Sequence, residues 1–289
     1  MRARLTTLSM VGPALALFVV MLVVPVGLSL YLSLTDWDEY SANPAFVGLK
    51  NYVNLTHSAE AIRAGWVTLL IAAVGTVLLS VFGLGFALLV NGASRLNAFF
   101  RIVLFYPHVL SALVVGFLWS AVLGTSGVVN GWLTSKGAEV LPFLSDPKWA
   151  LASLIAVLVW AGFGVNVVLY LAGLQTVSKD LLEAARIDGA TTRQTFFNVT
   201  LPALAPVVTV NLVLSLVTLL KTYDLVVSLT GGGPAGSTQT AAYLILWDSF
   251  HNNALGFGSA QSVVLMVITA GLALTVARLR ARADQGVQA

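Results

Sequence analysis

The sequence predicts an all-α, polytopic membrane protein with six spanning helices, and three observations carry that reading. Only 9% of the 289 residues are charged and 58% are hydrophobic, whereas soluble domains carry about 25% charged residues. The apolar residues gather into six stretches, each near the roughly 20 residues that a bilayer-spanning helix needs. Basic residues avoid these stretches and collect at one set of their ends.

The first stretch runs from Met10 to Leu34, behind Arg2 and Arg4. It is longer than the apolar region of a secretory signal, and "LSLYLSLTDW" has no small-x-small cleavage pattern, so a retained helix is expected. The others run from Gly65 to Val90, Ile102 to Leu123, Trp149 to Leu171, Leu204 to Leu220 and Gly258 to Ala277. No charge interrupts any of them. The 225–247 interval is also uncharged, but its centre reads "TGGGPAGSTQT". Gly and Pro at that density leave backbone groups that hydrocarbon cannot satisfy, which predicts an external loop dipping back against the protein. Neither an internal repeat nor a low-complexity linker divides the chain, so one transmembrane domain over residues 1–289 is expected.

An even number of spans places both termini on one side. Arg2, Arg4, Arg95, Arg101, Lys179, Arg186, Arg193, Arg278, Arg280 and Arg282 fall at the termini and even-numbered loops, against Lys50, Arg63, Lys136, Lys148 and Lys221 opposite. The positive-inside rule therefore predicts cytoplasmic termini, and the net charge of +3 reads as orienting charge rather than nucleic-acid binding. Most acids, Asp36, Asp38, Glu39, Glu60, Glu139, Asp146, Asp224 and Asp248, lie on the outer side in this topology. Trp37, Trp66, Trp132, Trp149 and Trp247 sit near outer ends, where indole rings favour the headgroup region; Trp119 and Trp160 lie deeper.

Composition also removes whole classes of chemistry. The chain has no cysteine, which excludes disulfides, thiol catalysis and Cys-based zinc sites. His57, His108 and His251 have no metal-ligand spacing. An intramembrane enzyme would need a buried Ser–His or paired-Asp constellation, and the spans offer neither. No G-x-x-x-x-G-K-[ST] occurs, so this sequence carries no nucleotide-hydrolysing motor of its own.

The most polar internal segment, "EAARIDGATTRQTFFNVTLP" at 183–202, falls on the cytoplasmic side between the fourth and fifth spans. Ser178 reads as an N-cap before the helix formers from Lys179 to Arg186, with Asp180 and Glu183 suited to a helix N-terminus. Gly189 supplies a stop and turn. A second helix from Thr191 carries Phe196, Phe197 and Val199, and Pro202 is expected to open the fifth span. In this helix–Gly–helix hairpin Leu181, Leu182, Ala185 and Phe196 are expected to face the bundle. Ala184, Ile187 and the Asp188–Gly189 corner are then presented outward, and a side chain at position 189 is expected to clash or straighten the bend. The residues alone leave open whether the hairpin meets a protein or is an amphipathic connector on headgroups.

Resemblance decides that point. "EAARIDGA", followed by "QTFFNVTLP", resembles the EAA loop of binding-protein-dependent ABC importer permeases. "YLSLTDW", "FVGLKNYVNL", "YDLVVSLTGGGPAGSTQT" and "GFGSA" are similar to the sugar-importer branch, and "LTGGGP" resembles the MalF-like rather than the MalG-like member of the permease pair. The resemblance implies a type I importer fold in a bacterial or archaeal inner membrane, with Glu183, Ala184, Ala185, Ile187, Asp188 and Gly189 forming a coupling helix. The implied partners are a MalG-like permease, two copies of an ATPase subunit that hold ATP and Mg, and an extracytoplasmic solute-binding protein. This chain itself would bind no cofactor and catalyse no covalent step.

Two polar stripes cross the apolar spans. Asn211, Ser215, Thr218 and Thr222 recur at helical spacing in the fifth, and Gly162, Asn166, Tyr170 and Gly173 in the fourth. Such faces either line a wet path for a polyhydroxylated solute or knit helices together, and periodicity does not choose between them. An ion-gradient-driven transporter of a polar solute is the rival reading. It would call for ionisable residues within spans or inverted repeats. Asn, Ser and Thr suit a neutral solute, whereas Lys221 leaves an anionic one open.

Overall fold

The computed structural model describes residues 11–38, 40 and 44–288, with side chains through residue 279. Met10, Arg2, Arg4 and Glu39, and the side chains of Arg280 and Arg282, lie outside the described residues. In chain order the helices are α1 (Val11–Leu32), α2 (Lys50–His57), α3 (Ala59–Leu89), α4 (Arg95–Val109), α5 (Ala112–Leu123), α6 (Val128–Ser135), α7 (Pro147–Thr176), α8 (Lys179–Ile187), α9 (Thr192–Ala203), α10 (Ala205–Leu220), α11 (Asp224–Leu229), α12 (Ala241–Leu246) and α13 (Leu255–Gln288). No strand occurs among the described residues; one isolated bridge pairs Thr35 with Phe46. Among the described residues five helices have the length and apolarity to cross a bilayer, or six when the bent pair α9 and α10 is one span.

Two compact units make up the chain, one of Met1–Ile62 and Leu244–Val267, the other of Arg63–Tyr243 and Ile268–Ala289. In the first unit, α1 is apolar on every side and none of its residues is buried against the chain. That exposure suits a helix solvated by hydrocarbon. Asn51 then closes the following turn by donating from Nδ2 to the carbonyls of Ser33 (2.9 Å) and Thr35 (2.7 Å). Asp248 is buried in a π-helical turn, Trp247–His251. It accepts from Gln261 Nε2 at 2.7 Å and Asn252 Nδ2 at 2.8 Å, so its carboxylate is not left bare.

The second unit is organised by α3 and α7. Ile71, Leu79, Leu154, Leu220 and Val226 form one buried cluster, and Ala87, Val167, Tyr170, Leu204 and Val208 another nearer the polar hairpin. Close helix approach is enforced by Gly164 in α7, where a Cβ would meet the Leu104 carbonyl oxygen and lie 2.9 Å from Phe105 Cα of α4.

The run expected as a third span, Ile102 to Leu123, is divided in the structure. Helix α4 ends at Val109, Leu110 and Ser111 take extended backbone, and α5 starts at Ala112. The cause is Pro107 in the last turn of α4, which lacks an N–H and strains the turn before it. The long apolar helix here is instead Ala112–Ser135, formed by α5 and α6 through a short turn.

The glycine-rich 225–247 interval folds back into the second unit through residue 243. Leu225, Val226, Ser228 and Leu229 of α11 are buried, as are Thr238, Thr240 and Tyr243. Side chains satisfy the irregular backbone: Thr238 Oγ1 donates to the Gly233 carbonyl (2.8 Å), Thr240 Oγ1 to that of Thr222 (2.7 Å) and Tyr243 Oη to that of Gly231 (2.9 Å). This meets the demand that unpaired backbone makes in a dry environment. Trp119 and Trp160, unexplained by headgroup preference, pack edge to face with centroids 5.4 Å apart.

Candidate functional site

The hairpin between α7 and α10 is built by local chemistry at each joint. Val177 and Ser178 are extended, and α8 begins at Lys179. At its end Asp188 stays helical while Gly189 turns to φ +79°. The Ala190 N–H donates to the Ala185 carbonyl (2.9 Å) and the Gly189 N–H to that of Arg186 (3.1 Å). This paired six-to-one and five-to-two pattern is a Schellman stop, and its left-handed position is one that glycine takes without a Cβ penalty. Among the described residues beyond its immediate chain neighbours, nothing lies within 4 Å of a Cβ built on Gly189. The expected clash is therefore absent, and the backbone angle alone makes the demand.

Two residues on, a capping box starts the next helix. Thr191 Oγ1 accepts from the Gln194 N–H (3.3 Å), and Gln194 Oε1 accepts from both the N–H and the hydroxyl of Thr191 (2.8 Å each). A cap of this kind contributes about 1 kcal/mol. The helix continues through a π-helical turn at Phe196–Thr200 and stops at Leu204, where its direction changes by 67° into α10. Pro202 was expected to open the fifth span. It lies instead before the bend, and Pro206 occupies the first turn of α10. The bend follows, because a ring at 206 can neither donate to nor sit beside the carbonyl four residues back.

Burial sorts the faces of α8. Glu183, Ala184, Ile187, Asp188 and Gly189 are exposed, Ile187 by 86%, while Leu182 and Ala185 are half-buried on the inner side. Leu181, expected to face the bundle, is 54% exposed, because its place on the helix falls outside the stripe that Leu182 and Ala185 turn inward. Phe196 is half-buried and packs edge to face on Phe197 at 5.0 Å.

The two polar stripes meet inside the second unit. Asn166, Tyr170, Asn211 and Ser215 are all buried; Thr222 is half-buried and Thr218 exposed. Ser215 Oγ donates to Asn166 Oδ1 at 3.0 Å, joining α10 to α7, and Asn166 Nδ2 reaches the Gly162 carbonyl at 3.4 Å. The Tyr170 and Ser80 hydroxyls share a 2.5 Å hydrogen bond that joins α7 to α3. Asn211 differs from these, since among the described residues neither atom of its buried amide has a partner. Buried amides are normally paired, so Asn211 stands out as a polar group that the fold itself does not use. Sequence reading missed Ser80 and Thr76, two hydroxyls four residues apart in an apolar helix, although that spacing was visible.

Residues 79–287 match the family described as "Binding-protein-dependent transport system inner membrane component". The chain is 31% identical over 272 residues to the trehalose/maltose transport system permease protein MalF of Thermococcus litoralis, covering 94% of this chain and 91% of that one. It is likewise 31% identical over 276 residues to the sn-glycerol-3-phosphate transport system permease protein UgpA of Agrobacterium fabrum, covering 94% and 92%. A chain of a bacterial alginate ABC transporter, solved in complex with an alginate pentasaccharide-bound periplasmic protein, superposes with a TM-score of 0.85 at 22% identity over 98% of this chain and 96% of that one, a likeness of fold. The length and identity of these matches, on a helical chain with this hairpin, give one conclusion: the chain belongs to the family of binding-protein-dependent transport system inner membrane components.

Proposed function

We propose that this chain is the transmembrane subunit of an ATP-driven importer that moves a sugar or related polyol into the cytoplasm, with both termini cytoplasmic. Its hairpin docks on a separate ATPase subunit through Glu183, Ala184, Ile187 and Asp188, with Ala185 and Gly189 setting the helix and its stop. The observation that carries the reading is the exposed Ile187 on a short helix whose C-terminal end is locked by the hydrogen bonds of its Schellman stop. An isoleucine so exposed beside the small Ala184 suits burial in a protein groove. Force on α8 passes through α9 and the bend at Leu204 to α10, which carries Asn211, Ser215, Thr218 and Thr222. A rearrangement of the ATPase thereby reaches the polar face, and alternating access follows as α10 moves against α7.

Names of the relatives support the solute class: one is a permease of a trehalose/maltose system, another of an sn-glycerol-3-phosphate system. Amide and hydroxyl groups each donate and accept, as sugar hydroxyls require. Asn211, with its unused amide, is the first contact we assign, with Ser215, Thr218, Thr222, Asn166 and Tyr170 shaping the path. The remaining partners follow the same pattern: a MalG-like permease, two ATPase copies holding ATP and Mg, and an extracytoplasmic solute-binding protein.

The test is uptake of radiolabelled maltose and glycerol 3-phosphate by proteoliposomes holding the whole assembly, with ATP enclosed. ATP-dependent accumulation that Ile187→Glu abolishes is expected. Accumulation that persists without ATP and collapses with an ionophore would replace the proposal with a gradient-driven transporter.

A further inference from the structure

Behind the coupling hairpin, on the side away from Ile187, lies a cavity of about 290 Å³. Its lining includes the apolar Leu174, Leu182 and Phe196 together with Arg186, Asn91, Thr192 and Thr200, of which the first three are exposed and Thr200 is half-buried. Among the described residues the Arg186 guanidinium, the Asn91 amide and the hydroxyls of Thr192 and Thr200 have no hydrogen-bond or ion-pair partner. A second guanidinium fixes the rim: Arg101 donates to the carbonyls of Val90 and Gly92, on either side of Asn91, at 2.8–3.0 Å. No acidic residue lines the cavity.

We propose that this cavity binds an organic phosphate, with Arg186, Asn91, Thr192 and Thr200 taking the phosphate oxygens and the apolar side chains taking the attached carbon skeleton. Arginine pairs with phosphate through two parallel N–H groups. Two hydroxyls on α9 and an amide beyond the end of α3 add donors from other segments of the chain, as an anion with several acceptor oxygens requires. The volume is at the low end of small-molecule pockets and exceeds what a bare phosphate requires. Two sources share this chemistry: the headgroup of an anionic phospholipid and a free phosphorylated metabolite. Either would brace α8 and α9 from behind, so occupancy would stiffen the hairpin whether or not Ile187 meets an ATPase.

The experiment reads the full-length chain without an ATPase, which keeps it independent of the coupling proposal. Backbone hydrogen exchange across 178–203 is followed in phosphatidylcholine nanodiscs with increasing inorganic phosphate, and in nanodiscs containing phosphatidylglycerol without added phosphate. Slowed exchange in the first arm identifies a free phosphate and in the second a lipid headgroup; either supports the site if Arg186→Gln weakens the response roughly tenfold or more. Thr200→Val, which keeps shape and removes the hydroxyl, should weaken it too, and Arg186→Lys should fall between. Unchanged exchange of wild type in both arms, or wild-type responses from Arg186→Gln and Thr200→Val, overturns the proposal.

Discussion

Truncating Ile187 to Ala should weaken ATPase docking while leaving the chain's own stability unchanged. The side chain is 86% exposed, so it contributes almost nothing to internal packing. Ile→Ala removes three carbons, at about 0.8 kcal/mol for each buried CH₂. Scaled by the 86% available for burial, the loss is about 2 kcal/mol, or roughly 30-fold in affinity, if the groove covers the side chain fully. Alanine is the better helix former, so α8 is not weakened by the change. The assay is titration of purified ATPase onto nanodisc-held permease by interferometry, with thermal unfolding of the permease measured in parallel. An affinity within twofold of wild type would refute the docking role of Ile187. A fall in unfolding temperature matching the affinity loss would show that Ile187 supports the hairpin instead.

Gly189→Val should destabilise the hairpin by about 1–2 kcal/mol through its left-handed backbone, while Gly189→Asn is better tolerated; amide exchange across 184–195 separates the two. Ser215→Ala strips Asn166 Oδ1 of its described donor and should lower stability by about 1–3 kcal/mol in a melting assay. Asn211→Leu removes an amide that has no partner among the described residues, so thermal stability should hold or rise while solute uptake falls; loss of both would return Asn211 to a packing role. Gly164→Ala forces a Cβ against the backbone of Leu104 and Phe105, and an overpacking loss of about 1–3 kcal/mol is expected on melting.

The helical class was legible because charge-free runs of this length have few other uses, and the five or six long apolar helices follow from them. The hairpin was legible because Gly189 is a local signal, readable without the rest of the chain; the Thr191/Gln194 capping box is equally local but was not read. Other features were hidden, either by stronger signals nearby or because they depend on contacts between distant residues. The division at Leu110 follows from Pro107, a local signal outweighed in the sequence by the hydropathy around it. The burial of α11 depends on partners such as Ala112 of α5, whose carbonyl accepts from the Ser228 hydroxyl at 3.4 Å, and the start of α12 on Thr68, whose hydroxyl accepts from the Ala241 N–H at 2.7 Å. Periodicity marked Asn166 and Ser215 as sharing a path without showing that they bond to each other.

The bend at Leu204 ties these observations together. A straight helix from Thr192 through Leu220 would carry a push on the hairpin along its own axis. The 67° change of direction turns the same push partly sideways for α10, and sideways displacement is what separates two packed helix faces. The Ser215–Asn166 bond lies on that α7–α10 contact. Net hydrogen bonds of this kind contribute only about 0.5–1.5 kcal/mol, little enough for a docked partner burying Ile187 to outweigh. Under the proposed mechanism, Ser215→Ala should therefore lower the ATP required per solute moved only if breaking this bond is part of the opening step. Coupling ratios in proteoliposomes decide the matter, and an unchanged ratio would place the opening on a helix face other than α7–α10.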